Sequence, residues 1–178
     1  TCALPISEVM PDPSAVGDTA GEWIEVRVNR DLDLNDLGVA GATGNPVVLS
    51  SSNCLHATAG TYLVFARSPD MTMNGGLPRV DGTVVSLTNS NGAVRMVMGA
   101  TELDAMTWTS VRAGHSLQLD DSFTAPADND VAANLCDGNA TYGAGDFGTP
   151  GAANRDCGGS TAGMCMDGAS MRPLVTPT

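Results

Sequence analysis

Residues 4–29, LPISEVMPDPSAVGDTAGEWIEVRVN, hold two short apolar-alternating runs on either side of a loop crowded with Pro, Asp and Gly. This arrangement predicts strand, long turn, strand. In the second run Ile24, Val26 and Val28 fall on one face and Glu25 and Arg27 on the other, the period of two that a half-buried strand needs. In the first, Leu4, Ile6 and Val9 supply apolar contacts. Pro11 and Pro13 lack a donor N–H and end the ladder. Trp23 falls on the polar face by count and is expected to cover a sheet edge.

The same grammar continues along the chain. TYLVFA at 61–66 is a nearly unbroken β-branched and aromatic run, the pattern of a strand buried on both faces. Further strands are predicted at 47–49, 83–87, 94–98, 103–108 and 116–119, with Asn91-Gly92 as the hairpin turn between 83–87 and 94–98. With 21 Gly and 10 Pro in 178 residues and turn clusters about every ten residues, many short strands are favoured over helices. No stretch keeps a 3.6 period, so the expected class is all-β, one core of ordinary size followed by a tail. No apolar run is long enough to span a membrane as a helix.

Three stretches carry a family resemblance. ISEVMPDPS…GEWIEVRVN at the start, TYLVFAR in the middle and FGTPGAAN at 147–154 resemble the lamin tail domain, found in nuclear lamins and in many secreted bacterial proteins. The stretches 87–98, 103–108 and 116–119 match the family's later strands in order and spacing. The resemblance implies an immunoglobulin-like β-sandwich of about eight or nine strands over residues 1–156. Residues 157–178, rich in Gly, Ser, Thr and Pro, then form an extended tail or linker. It also implies a secreted, extracellular or cell-surface location, where such a domain is one unit of a larger protein or array. Within the closing motif, Gly148 and Gly151 around Pro150 require a tight bend that lets the terminal segment lie back along the body. A chain beginning at Thr1 is expected to have lost any signal peptide.

Twenty acidic residues oppose eight arginines, there is no lysine, and the net charge is −12. Such a chain repels phosphate backbones, so direct nucleic-acid binding is not expected. Five cysteines, Cys2, Cys54, Cys136, Cys157 and Cys165, lie far apart without a CxxC, which favours disulfides in an oxidising compartment over zinc. Two bridges among five cysteines leave several pairings open. Cys54–Cys136 is favoured, since it would tie the loop before 61–66 to the long terminal excursion; Cys157–Cys165 and Cys2–Cys157 are alternatives.

No cofactor is required by any motif. The one candidate is Ca²⁺, at Asp120, Asp121, Asp128, Asn129 and Asp130, where five oxygen-bearing side chains fall within eleven residues. Asp31, Asp33 and Asn35 have calcium-loop spacing but lack the Gly and Glu an EF-hand needs. Gly143, Gly145 and Gly148 spell GxGxxG, yet no helix follows, so a dinucleotide site is not expected. His56 and His115 belong to no ligand-spaced group. The expectation is therefore a non-enzymatic structural or interaction module whose partners are copies of itself or other surface proteins. It would self-associate through sheet edges and its tail, with Leu174 and Val175 as apolar contacts. The alternative is a calcium- or carbohydrate-binding accessory module of a secreted hydrolase or nuclease, with Trp23, Tyr62, Trp108 and Tyr142 as stacking candidates.

Overall fold

The computed structural model describes residues 4–158 and, for the backbone alone, Met164–Asp167 and Ser170–Pro173. Over residues 4–158 the chain forms fourteen strands in four sheets. In order these are β1 (Ile6–Met10), β2 (Trp23–Arg27), β3 (Leu32–Asp33), β4 (Leu37–Gly41), β5 (Val47–Val48), β6 (His56–Ala57) and β7 (Tyr62–Ala66). There follow β8 (Gly82–Thr83), β9 (Ser90–Met98), β10 (Thr101–Ser110), β11 (Leu117–Leu119), β12 (Leu135–Asp137), β13 (Thr141–Tyr142) and β14 (Asp146–Phe147). The helical content of these residues is three single turns, at Asp18–Gly21, Pro126–Asp128 and Ala132–Asn134.

Two sheets dominate. One has six strands in the order β12-β11-β1-β2-β7-β8, the other four in the order β10-β9-β4-β5. Their facing sides share one apolar cluster, to which Ile6, Ile24, Val26, Leu63 and Phe65 come from the first sheet and Leu37, Val39, Val94, Met96 and Met106 from the second. Ile6 and Val9 are three residues apart yet both belong to this cluster, which strict alternation forbids. A register shift between Ile6 and Glu8 against β2 resolves the conflict, because the extra residue of a bulge reverses the alternation once.

The six-stranded sheet is also buried on its other face. There Met10, Trp23, Val64, Ala66 and Leu77 form a second cluster, with Val80 and Tyr142 packed on it. Trp23 accordingly does not cover an exposed edge: it is fully buried, donates from Nε1 to the Tyr142 hydroxyl at 2.8 Å, and meets that ring edge-on. The strand at 61–66 is buried on both faces, as its composition predicts.

Two local expectations are corrected. Asn91-Gly92 is not a hairpin turn but lies inside β9, which runs unbroken to Met98 and turns through Gly99 and Ala100 into β10. Gly92 is required there by contact: opposite Trp108, a Cβ would stand 2.2 Å from the indole Cε2. Residues 83–87 do not pair with 94–98; only Gly82–Thr83 is a strand, parallel to β7. The count of fourteen exceeds the expected eight or nine through two-residue strands and through β12, which extends the six-stranded sheet beyond the last predicted strand at 116–119.

The favoured Cys54–Cys136 pairing is also corrected. Cys136 on β12 bonds to Cys157, with Cα atoms 5.6 Å apart, and Cys54 is an exposed free thiol. Both alternatives that used Cys157 fall with it, and Cys2 and the side chain of Cys165 lie outside the described residues. The bridge pins the end of the body to the outer strand of the six-stranded sheet across a 21-residue separation. Closing a loop of this length stabilises by about 3 kcal/mol in the chain-entropy model. Cys136→Ser should therefore lower the melting temperature by several degrees, measured against the oxidised parent by calorimetry.

Candidate functional site

The residues with the most perturbed chemistry are carboxyls on or beside the strands, of which the alternation of residues 24–28 places Glu25 on the polar face. Glu8 and Glu25 are both fully buried, on the outer side of the six-stranded sheet. The GTPGAAN segment covers them. Glu8 accepts from the Ser116 hydroxyl and, at 3.0 Å, from the Thr149 backbone N–H. Glu25 accepts from the Ser7 hydroxyl at 2.6 Å and from the Gly151 N–H at 2.8 Å. Asn154 completes the lock: its Nδ2 donates to the carbonyls of Ser7 and Leu119, both at 2.7 Å, and its Oδ1 lies 3.0 Å from the Thr149 hydroxyl. Gly148 passes so close that a Cβ would meet Glu8 Oε1 at 2.9 Å. Gly151 has φ +80°, so the predicted bend needs glycine at that position.

Burial dominates the electrostatics. It pushes the Glu8 carboxyl up to about 7 against the opposing effect of its donors. Glu25 is raised well above the ordinary range, first by burial and then by the charge of Glu8. At the end of β2, Glu22 is raised to about 7 by burial, despite the Leu87 N–H at 3.1 Å and Arg67 Nε at 3.4 Å. Asp104 on β10 is raised to about 6 by burial; it accepts from the Ile6 N–H at 2.6 Å and from Asn129 Nδ2 at 2.8 Å. Elevated carboxyl pKa values are often a mark of general acids. Here Glu8 and Glu25 face protein donors in a sealed layer, and the role visible in the geometry is to anchor residues 148–154.

The five calcium candidates are not brought together. Asp128 caps its own turn, accepting from Thr124 N–H at 2.9 Å and Ala125 N–H at 2.7 Å. Asp120 accepts from the Ser122 hydroxyl, from Cys157 N–H at 2.8 Å and from Ser122 N–H at 3.0 Å, which lowers its pKa. Asn129 is buried and turns inward to Ile6 O and Asp104, while Asp121 and Asp130 are exposed. Calcium asks for six to eight converging oxygens. Asp120 and Asp128 instead satisfy backbone donors, and among the described residues no group of three or more His, Cys, Asp or Glu is placed to hold a metal ion. Asp33 behaves likewise, accepting from the N–H groups of Asn35 and Leu55 at 3.0 and 2.9 Å.

The remaining candidates also find structural places. Gly143 and Gly145, both at positive φ, form the turn between β13 and β14. His115 stacks on Phe147 with ring centroids 4.4 Å apart, and its Nδ1 lies 2.8 Å from Gly138 O. Trp108 is buried and donates to Thr88 O at 2.8 Å; Tyr62 is half-buried. The two tryptophans thus offer no stacking face. Leu174 and Val175 lie outside the described residues.

What the body does present is an edge. β10, ten residues long, is the outermost strand of the four-stranded sheet, and its Thr107, Thr109 and Ser110 are exposed. The opposite edge, β5, is only two residues long, with Val47 and Val48 exposed. No protein-family model, no curated protein and no solved structure matches the chain.

Proposed function

We propose that the chain is a non-enzymatic, secreted or cell-surface module that associates with copies of itself through a sheet edge and its C-terminal segment. In this reading the two larger sheets are the layers of an immunoglobulin-like β-sandwich of the lamin-tail kind. Support for the kinship comes from convergence: ISEV, GEWIEV and GTPGAAN, distant in sequence, meet in one hydrogen-bonded layer around Glu8 and Glu25. The Cys136–Cys157 bond favours an oxidising compartment.

The observation that carries the functional reading is β10. A long edge strand offers a row of unpaired N–H and C=O groups, which proteins ordinarily shorten, charge or cover unless another strand is to be added there. Light scattering and electron microscopy of the full chain beside a chain ending at Asp156 test this. The full chain should associate and the shortened one should be monodisperse. Equal monodispersity of both would remove the reading.

A further inference from the structure

Along the outer side of β10 the fold is not uniform. Near Leu103–Ala105 the turn Pro126–Asp128 packs over the edge. From Thr107 to Ser110 the edge instead opens on a groove of about 440 Å³, closed on its far side by Asn129, Asp130 and Leu135 and lined by Leu117. On this wall Asp130 is exposed and takes no part in the ion pairs Arg67–Glu22, Arg79–Asp81 and Arg95–Glu102. A groove bounded by an open strand edge is complementary to an extended backbone bearing free N–H and C=O groups.

The chain carries such a backbone. Met164–Asp167 (β15) pairs antiparallel with Ser170–Pro173 (β16), and this pair forms a sheet by itself. Pro173 has no N–H, so its pair with Met164 is of the non-hydrogen-bonded kind, and alternation makes Cys165 with Arg172 and Asp167 with Ser170 the hydrogen-bonded pairs. The backbone groups of Met164 and Met166 therefore point away from β16, while those of Met171 and Pro173 point away from β15. Pro173 has no N–H, so the outer edge of β16 is a poor donor and the outer edge of β15 is the competent one. An isolated two-stranded hairpin is at best marginally stable in water and gains by joining a larger sheet. Ahead of it in sequence, Cys157 and Gly158 border a surface that includes Leu135 of the groove wall.

Building on the self-association reading, we infer that the groove beside Thr107–Ser110 receives β15 from the 164–173 hairpin of a second copy as an added strand next to β10. Pro173 closes the outer side of the added hairpin, so each groove takes one hairpin and growth proceeds by head-to-tail contacts.

Full-length variants measured by sedimentation equilibrium test the assignment. Met166→Pro removes an outward N–H of β15 and keeps the bonds of the hairpin itself; it should weaken association at least about ten-fold, the change expected for a lost interstrand bond at an edge. Ala132→Trp, on the exposed wall of the groove, should do the same with an unchanged melting temperature. Met171→Pro, on the opposite edge of the hairpin, should leave association within two-fold, roughly the error of one additive substitution. If the chain ending at Asp156 loses association but Met166→Pro and Ala132→Trp keep it, self-association stands and this docking site is wrong. Equal loss from Met166→Pro and Met171→Pro also overturns the site, because it would show dependence on the hairpin without the edge preference. A full chain that is monomeric throughout overturns both readings.

Discussion

Raising the pH from about 5 should lower the melting temperature steadily, with most of the loss between about pH 5 and pH 7 and a flatter slope above that. Burial raises the folded-state pKa values of Glu8 and Glu22 to about 7 and of Asp104 to about 6, and Glu25 moves the same way. A carboxyl whose pKa is higher in the folded state binds its proton more tightly there. Its contribution is complete below the unfolded value and is lost as pH rises through the folded one. A single fully buried group such as Glu8, moved from 4.5 to about 7, is worth on the order of 3 kcal/mol across that window. Relief of self-repulsion in a chain of net charge −12 has the same sign, so a variant is needed to separate the two. Glu8→Gln removes one titration from the sealed layer and changes the net charge by only one; it should flatten the slope of melting temperature against pH. Below about pH 4 the trend should reverse, because Asp33, Asp70 and Asp120 have lowered pKa values and lose their stabilising hydrogen bonds on protonation. A melting temperature that climbs between pH 5 and pH 8 would contradict the whole description of the buried layer.

Asn154→Ala should cost about 4 kcal/mol and lower the melting temperature by roughly 10 °C, with Asn139→Ala, at an exposed site, close to neutral. The side chain of Asn154 donates to the Ser7 carbonyl at the β1 bulge, and it also holds the Leu119 carbonyl at the end of β11. Removing it leaves both buried acceptors without that donor, each at a penalty of about 1–3 kcal/mol, and frees the Thr149 hydroxyl that sits over Glu8. Asn154→Asp keeps the shape but exchanges the donors for a charge near two buried carboxyls, so it should be at least as damaging. Calorimetry of the three variants measures the effect. Indifference to Asn154→Ala would mean that residues 148–154 do not hold the outer face closed.

Much of the architecture was legible before any coordinates. Alternation in Ile24, Val26 and Val28 identified the core-facing side of β2, the unbroken run at 61–66 identified a strand covered on both sides, and Gly148-x-Pro150-Gly151 announced a bend returning the chain over the body. These are local properties: a period of two, a missing donor or a required positive φ is readable within a few residues. The Asn91-Gly92 reading failed because the same dipeptide that favours a turn also gives the bare backbone against which Trp108 packs, and the packing partner lies sixteen positions away.

What alternation cannot reveal is whether the second face of a strand meets water. Glu8 and Glu25 have the sequence signature of solvent-facing positions, and only the return of residues more than a hundred positions later, Thr149 onto Glu8 and Gly151 onto Glu25, makes them interior carboxyls. The cysteine pairing was decided in the same way, by β12 joining the six-stranded sheet and bringing Cys136 beside Cys157. So was the dispersal of the acidic stretch: Asp120 and Asp128 accept from nearby backbone N–H groups and Asn129 turns inward to Asp104. The sequence by itself determined an all-β chain, the inward faces of its strands and the glycine-dependent bend, because dihedral preference and side-chain alternation are set by neighbours. Tertiary structure alone decided which polar side chains are buried, which thiols meet and which edge stays open, because those depend on segments that only the folded chain brings into contact.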